Sequence, residues 1–164
     1  MTRAIVLALM LALGGCGLRP MYAGGSSGAV ATSLNSIQVA PIPERAGWLV
    51  RNALVDRLGG EPGNPAFRLE VELDDNVTGF GIRGDSAVTR ERRTLRARYR
   101  LVDTGTGEVL LDATAGSDAG IDVVSSEYAT VAAEQSAQER LAQVIADQMV
   151  SRLALFVQRR AQSR

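Results

Sequence analysis

The chain of 164 residues contains no histidine, no lysine and a single cysteine. Without histidine, imidazole-based triads and the common zinc ligand sets are unavailable. One thiol cannot form a disulfide within the chain, so an oxidising compartment is permitted but not used. An excess of one charge is lacking too, since 18 Arg stand against 18 Asp and Glu. That balance argues against a nucleic-acid binder, which usually carries a basic domain. Long apolar runs are also missing: Ala4 to Leu13 is only ten residues, and a bilayer-spanning helix needs about 20.

What is present begins with that short run. Arg3 precedes it and Leu13-Gly14-Gly15-Cys16 closes it, the positive start, apolar core and small-residue site of a secretory signal. The residue after Gly15 is the only cysteine, and Leu-Gly-Gly-Cys resembles a bacterial lipobox, in which the thiol is alkylated with diacylglycerol and the chain is cut just before it. A free buried cysteine is the alternative; position, flanks and uniqueness favour a lipid anchor at Cys16. On this reading residues 1–15 are a lipoprotein signal peptide. Removing them takes away Arg3, leaving 17 Arg against 18 acidic groups, a net charge of −1, on 149 residues. Residues 16–33 read as a lipidated, Gly/Ala/Ser-rich tether spanning roughly 20–25 Å. Leu18, Met21 and Tyr22 sit beside the anchor, suited to the membrane interface or a partner. Residues 34–164 read as a single domain.

Within that domain, Ser36 to Ile42 alternates and ends at Pro41-Ile42-Pro43, a short strand stopped by proline. Glu44 to Leu58 has Val50, Ala53, Leu54 and Leu58 at helical spacing, with Gly59-Gly60 as the stop. Trp48 lies off that stripe and reads as a half-buried edge of the core in preference to a ligand platform. Phe67, Leu69, Val71 and Leu73 make a half-buried strand. The parity then breaks at Phe80 and Ile82 among Gly79, Gly81 and Gly84, which predicts a bulge or loop ending the strand. Phe80 and Ile82 either tuck under the sheet or reach a partner.

Leu95, Ala97, Tyr99 and Leu101 share one face of the next strand, and Thr94, Arg96, Arg98 and Arg100 the other. The turn formers Asp103 to Gly107 follow. A hairpin centred on Gly105 sets Leu101 against Val109, Tyr99 against Leu111 and Arg98 against Asp112. From Glu127 to Arg160 the chain reads as a helix about 50 Å long, started by Ser125-Ser126, whose stripe runs Leu141, Ala142, Ile145, Met149, Leu153, Phe156. Its first half either bends or overhangs the sheet. The predicted fold class is α+β, two helices packed on one face of a four-stranded sheet, in the order β-α-β-β-β-α.

Between Arg90 and Arg100 there are six Arg and one Glu. Arginines two apart on a strand form a row of forked donors about 6.6–6.8 Å apart, suited to phosphate or carboxylate groups; a solvated strand face is the alternative, and only Asp112 offers an obvious partner. Asp74-Asp75 is a poor catalytic pair, because adjacent strand residues point to opposite faces; the two read as turn residues at a strand end. No catalytic constellation, metal set or cofactor motif emerges, so a non-enzymatic protein without a cofactor is expected.

Five segments in this order resemble the lipopolysaccharide-assembly lipoprotein family LptE, in its alphaproteobacterial branch. Cys16-Gly-Leu-Arg-Pro-Met-Tyr22 is similar to that branch's Cys-Gly-Phe-x-Pro-Leu-Tyr opening, with Leu18 and Met21 in place of its Phe and Leu. Val39-Ala-Pro-Ile-Pro43, Arg51-Asn-Ala-Leu-Val-Asp-Arg57, Tyr99-Arg-Leu-Val-Asp-Thr-Gly-Thr-Gly107 and Ser126-Glu-Tyr-Ala-Thr130 resemble its first strand, first helix, hairpin and last-helix entry. The resemblance implies a lipoprotein anchored through Cys16 on the periplasmic side of the outer membrane. It implies a role as the plug of an LptD-like β-barrel and lipopolysaccharide binding by basic residues of the sheet, with Arg96, Arg98 and Arg100 as the candidates. Gly17 lacks the aspartate that commonly retains lipoproteins at the inner membrane. An auxiliary lipoprotein of a lipid-transport ABC system is the alternative from another class.

Overall fold

Alternating apolar and polar residues give three long strands their two faces, and the computed structural model shows where each face goes. It describes residues 28–82 and 88–162; Cys16 and the rest of the chain before Gly28 lie outside the described residues. The elements are α1 (Ala29–Leu34), β1 (Ile37–Val39), α2 (Glu44–Leu58), β2 (Phe67–Ile82), β3 (Val88–Asp103), β4 (Val109–Asp122) and α3 (Glu127–Gln162). One sheet has the order β1-β2-β3-β4, with β1 parallel to β2 and the other pairs antiparallel. The architecture is the expected α+β one, with one element added: α1 takes up the last residues of the stretch read as tether. It does so because Leu34 is buried and Val30 packs on the core.

The core lies on one face of the sheet. Leu69 and Val71 of β2, and Leu95, Ala97, Tyr99 and Leu101 of β3, pack against Val50, Leu54 and Leu58 of α2 and Ile145, Met149 and Leu153 of α3. The helix α2 has the expected bounds and stripe. It ends where Gly59 takes a left-handed φ of 93° and the Gly60 N–H bonds the Val55 carbonyl at 2.9 Å. Near its start, a Cβ on Gly47 would stand 2.6 Å from the Ile42 carbonyl oxygen, so the strand-to-helix corner requires glycine there. Trp48 is 61% exposed and is not the half-buried core edge expected of it.

Three expectations about the strands need correction. First, β1 is shorter than Ser36–Ile42: its last bond runs from the Ala40 N–H to the Leu69 carbonyl, and Pro41 has no N–H to continue. Second, β2 does not give way to a bulge or loop from Gly79 to Ile82. It continues through Ile82, with Asp75 partnered by Leu95, Gly79 by Glu91 and Phe80 by Arg90, because β3 supplies a partner strand that offsets the weak propensity of the glycines. Asp74 and Asp75 are therefore strand residues, not turn residues. Phe80 does not tuck under the sheet; the Arg92 guanidinium lies 5.3 Å from its ring centroid. The Ile82 side chain lies outside the described residues.

The third correction is the β3–β4 register. Leu101 faces Leu111, Tyr99 faces Ala113 and Arg100 faces Asp112. The Asp103 carboxylate accepts the N–H groups of Gly105 and Thr106, and the Asp103 N–H bonds the Glu108 carbonyl. That turn moves the register by one residue from a loop centred on Gly105. A β-bulge between Leu101 and Val102 moves it by another. Two single shifts restore the parity, so the apolar faces still coincide.

The helix α3 is 36 residues, about 54 Å long. Ser126 Oγ accepts the Ala129 N–H at its start. Its first half lies along the sheet: Thr130, Ala137 and Gln138 are buried there, and the buried positions continue to Val157. Arg45 reaches Glu139 and Arg57 reaches Asp147, so α2 and α3 run in the same sense.

Candidate anion-binding face

Strand alternation places Arg96, Arg98 and Arg100 on the sheet face opposite the helices, as the pattern predicts, and β3 is a central strand. Its arginines therefore meet side chains of two neighbours. Arg98 binds Asp112 with both arms, at 3.2 and 2.8 Å. Asp112 is not directly opposite but one diagonal step away, so the expected pair forms in an unexpected register. Its hydrogen bonds from Arg98 hold the Asp112 carboxyl below the usual carboxylate range, and Asp112 in turn raises Arg98. Arg100 lies 3.4 Å from Glu70 and 3.7 Å from Glu72. Arg90 pairs with Asp122 at 2.9 Å, and Arg92 approaches Asp118 at 3.9 Å.

The sequence pattern points to Asp112 alone as a partner. Glu70, Glu72, Asp118 and Asp122 escape it because opposition across a sheet depends on register, which short-range pattern does not carry. With them in place, the open face is a row of guanidinium groups framed on both sides by carboxylates.

Arg96 differs from its neighbours. Among the described residues no carboxylate lies within ion-pair distance of it. Its Nη1 and Cγ stand 3.5 and 3.6 Å from where a Gly116 Cβ would be, so the side chain runs over a gap that glycine leaves in β4. The gap opens a hollow of about 540 Å³ lined by Glu72, Asp74, Arg96, Arg98, Thr114, Gly116 and Gln148. Gln148 of α3 closes its far side by bonding the Gly116 N–H at 3.2 Å and the Gly116 carbonyl at 3.3 Å. The hollow offers a forked donor and a hydroxyl, with carboxylates at its rim. It suits a phosphorylated or hydroxylated ligand better than an apolar one.

Arg93, the remaining member of the run, is on the helix face. It binds Asp75 with Nε at 2.8 Å and Nη2 at 2.6 Å, and Gln138 donates to the same carboxylate at 3.0 Å. Burial pushes Asp75 up, but the bonds from Arg93 and Gln138 and the Arg93 charge outweigh it and lower the group. Nearby, Glu91 faces Glu134 of α3, and its Oε2 is buried without a hydrogen-bond partner. Burial first, then the Glu134 charge, raise Glu91. Neither group belongs to the open face. Among the described residues no His/Cys/Asp/Glu group of three or more could hold a metal, and no helix is long and apolar enough to cross a membrane.

No curated protein matches the chain. Among solved structures, a candidate lipoprotein of Caulobacter crescentus CB15 is 27% identical, with a TM-score of 0.66, over 78% of this chain and 95% of that one. The minor lipoprotein of Acinetobacter baumannii shares the fold at 14% identity and a TM-score of 0.60, covering 74% and 92% of the two chains. Rare lipoprotein B of Shewanella oneidensis shares it at 10% and 0.57, covering 72% and 92%. The family model described as lipopolysaccharide-assembly, LptE, matches residues 34–153, a span that includes α2 and all four strands. The chain belongs to the LptE family of lipopolysaccharide assembly.

Proposed function

We propose that this chain is an outer-membrane lipoprotein, cut before Cys16 and lipid-anchored there on the periplasmic side. In that position it plugs and supports the LptD-like barrel that translocates lipopolysaccharide, and it binds the glycolipid during assembly. The observation that carries the binding part is the unpaired Arg96 guanidinium in the open-face hollow of a chain of this family. Lipopolysaccharide presents phosphates, and Arg binds phosphate with two parallel bonds. Arg98 also lines the hollow and Arg100 lies two residues further along β3, but their carboxylate partners must be displaced before they can serve, so Arg96 leads.

The test compares binding of purified full chain to lipopolysaccharide for wild type, Arg96→Glu and Arg98→Glu, alongside thermal melts. Arg96→Glu should weaken binding about tenfold, the equivalent of roughly 1.4 kcal/mol, with an unchanged melt; Arg98→Glu should weaken it less. The wild-type interaction should also fade with salt, because exposed charges are screened over about 8 Å at physiological ionic strength. An Arg96→Glu protein that melts normally and binds as tightly at low salt would place the glycolipid elsewhere. For the plug, affinity purification from membranes should recover a β-barrel at equal stoichiometry; recovery of ABC-transporter subunits in its place would overturn it.

A further inference from the structure

We infer that the outer edge of β2, from Leu73 to Gly79, is a docking site for an extended segment of another protein that alternates basic and apolar residues. This does not rest on the lipopolysaccharide reading. The sheet's first strand covers only the start of β2: β1 is three residues long, and its last contact is the Ala40 N–H to the Leu69 carbonyl. Because Leu69 points its carbonyl toward β1, the antiparallel alternation with β3 turns the N–H and carbonyl groups of Leu73, Asp75, Val77 and Gly79 the same way. Among the described residues nothing bonds those groups. The unpaired stretch from Val71 to Gly79 is about 26 Å long.

Protein edges are ordinarily blunted by lysine, proline, bulges or a covering element. The opposite edge of this sheet is: the Gln148 amide occupies both the N–H and the carbonyl of Gly116 on β4. The β2 edge has no lysine or proline from Leu73 to Gly79, and its register with β3 is unbroken.

The flanking side chains specify the occupant. On the open face stand Glu72, whose nearest guanidinium is 3.7 Å away, and Asp74, which has no ion-pair partner among the described residues. On the helix face stand Leu73, half-buried, and Val77, which is 46% exposed, and the one charge between them, Asp75, is already taken up by Arg93 and Gln138. A strand laid against this edge would set its own alternate residues beside Glu72 and Asp74 and the others beside Leu73 and Val77, so it should be basic on one face and apolar on the other. A second copy of this chain does not fit, because β2 against β2 would oppose acidic residues and β4 offers Asp112 and Asp118 on the same face.

The probe is an acetylated peptide of about nine residues alternating valine and arginine, long enough for the edge. Its control has the same composition with the arginines in one block. Amide hydrogen exchange of the full chain in detergent should show at least tenfold protection at Leu73, Val77 and Gly79 with the alternating peptide and none with the block peptide. Val77→Pro removes an outward N–H and no ladder bond, so it should melt normally and bind at least tenfold more weakly. The double variant Glu72→Arg, Asp74→Arg, which leaves the backbone intact, should lose binding to the same degree. Equal binding by the block peptide or by the charge variant would overturn the inference. So would protection on β4, or edge amides already protected without peptide by the chain's own segment before Gly28.

Discussion

Asp75 occupies the sheet face that carries the helices, where its side chain is 12% exposed and Arg93 is 14% exposed. A carboxylate there is tolerated only because Arg93 takes both its oxygens and Gln138 adds a third bond. Its lowered folded-state value means the stability it contributes is present above the unfolded value of 3.8 and is lost as pH falls through the folded one. Thermal melts of wild type should therefore decline as pH drops below about 4, and Asp75→Asn should decline less steeply over the same range. Asp75→Ala at pH 7 should cost about 1–3 kcal/mol, because Arg93 is left half-buried without its partner; a urea midpoint equal to wild type would show the pair to be dispensable. The neighbouring Asp74 points to the other face, as alternation required. What the sequence could not show was that Asp75 has Arg93 as its partner, since that depends on the register of β2 with β3. The same dependence hid the carboxylates around Arg90, Arg92 and Arg100, whereas Arg96, Arg98 and Arg100 were legible as a row because a two-residue repeat needs no partner strand.

Among the elements, the β3–β4 hairpin shows how little freedom register has. The Asp103 turn and the bulge beside Val102 each displace β4 by one residue, and either alone would turn Leu111, Ala113 and Ala115 to the open face. Leu110 is the extra residue that the bulge accommodates, with Val102 facing Val109 and Leu101 facing Leu111. Deleting Leu110 should thus cost on the order of 3 kcal/mol, in the range of broken-core variants, while Leu110→Ala should cost less than about 1. Similar urea midpoints for the two would mean the turn absorbs the missing residue. The expected hairpin had the right parity through pattern alone and the wrong partners, because turn chemistry centred on an Asx-type loop is not visible in hydrophobic alternation. By contrast α2 was legible to the residue, its stripe and Gly59-Gly60 stop both being local signals. The length of β2 was not, since glycines read as a stop until a neighbouring strand is there to pair with them.

For the whole molecule, the proposed anchor at Cys16 would decide where the domain works. Cys16→Ala should leave an uncleaved precursor without lipid, because in the proposed pathway thiol alkylation precedes cleavage. Metabolic labelling with a fatty acid should mark wild type and not the variant; equal label on both would remove the anchor assignment. The helix α3 and the paired β2 and β3 are each roughly 50 Å long, and they lie side by side, so the described body is at least that long in one direction. The apolar band of an outer-membrane barrel is about 25 Å tall. Set upright, a body of that length is twice as tall as the band. On the plug reading its two ends therefore cannot both sit at membrane depth, and one continuous piece joins the membrane-embedded part of the barrel to what lies beyond it.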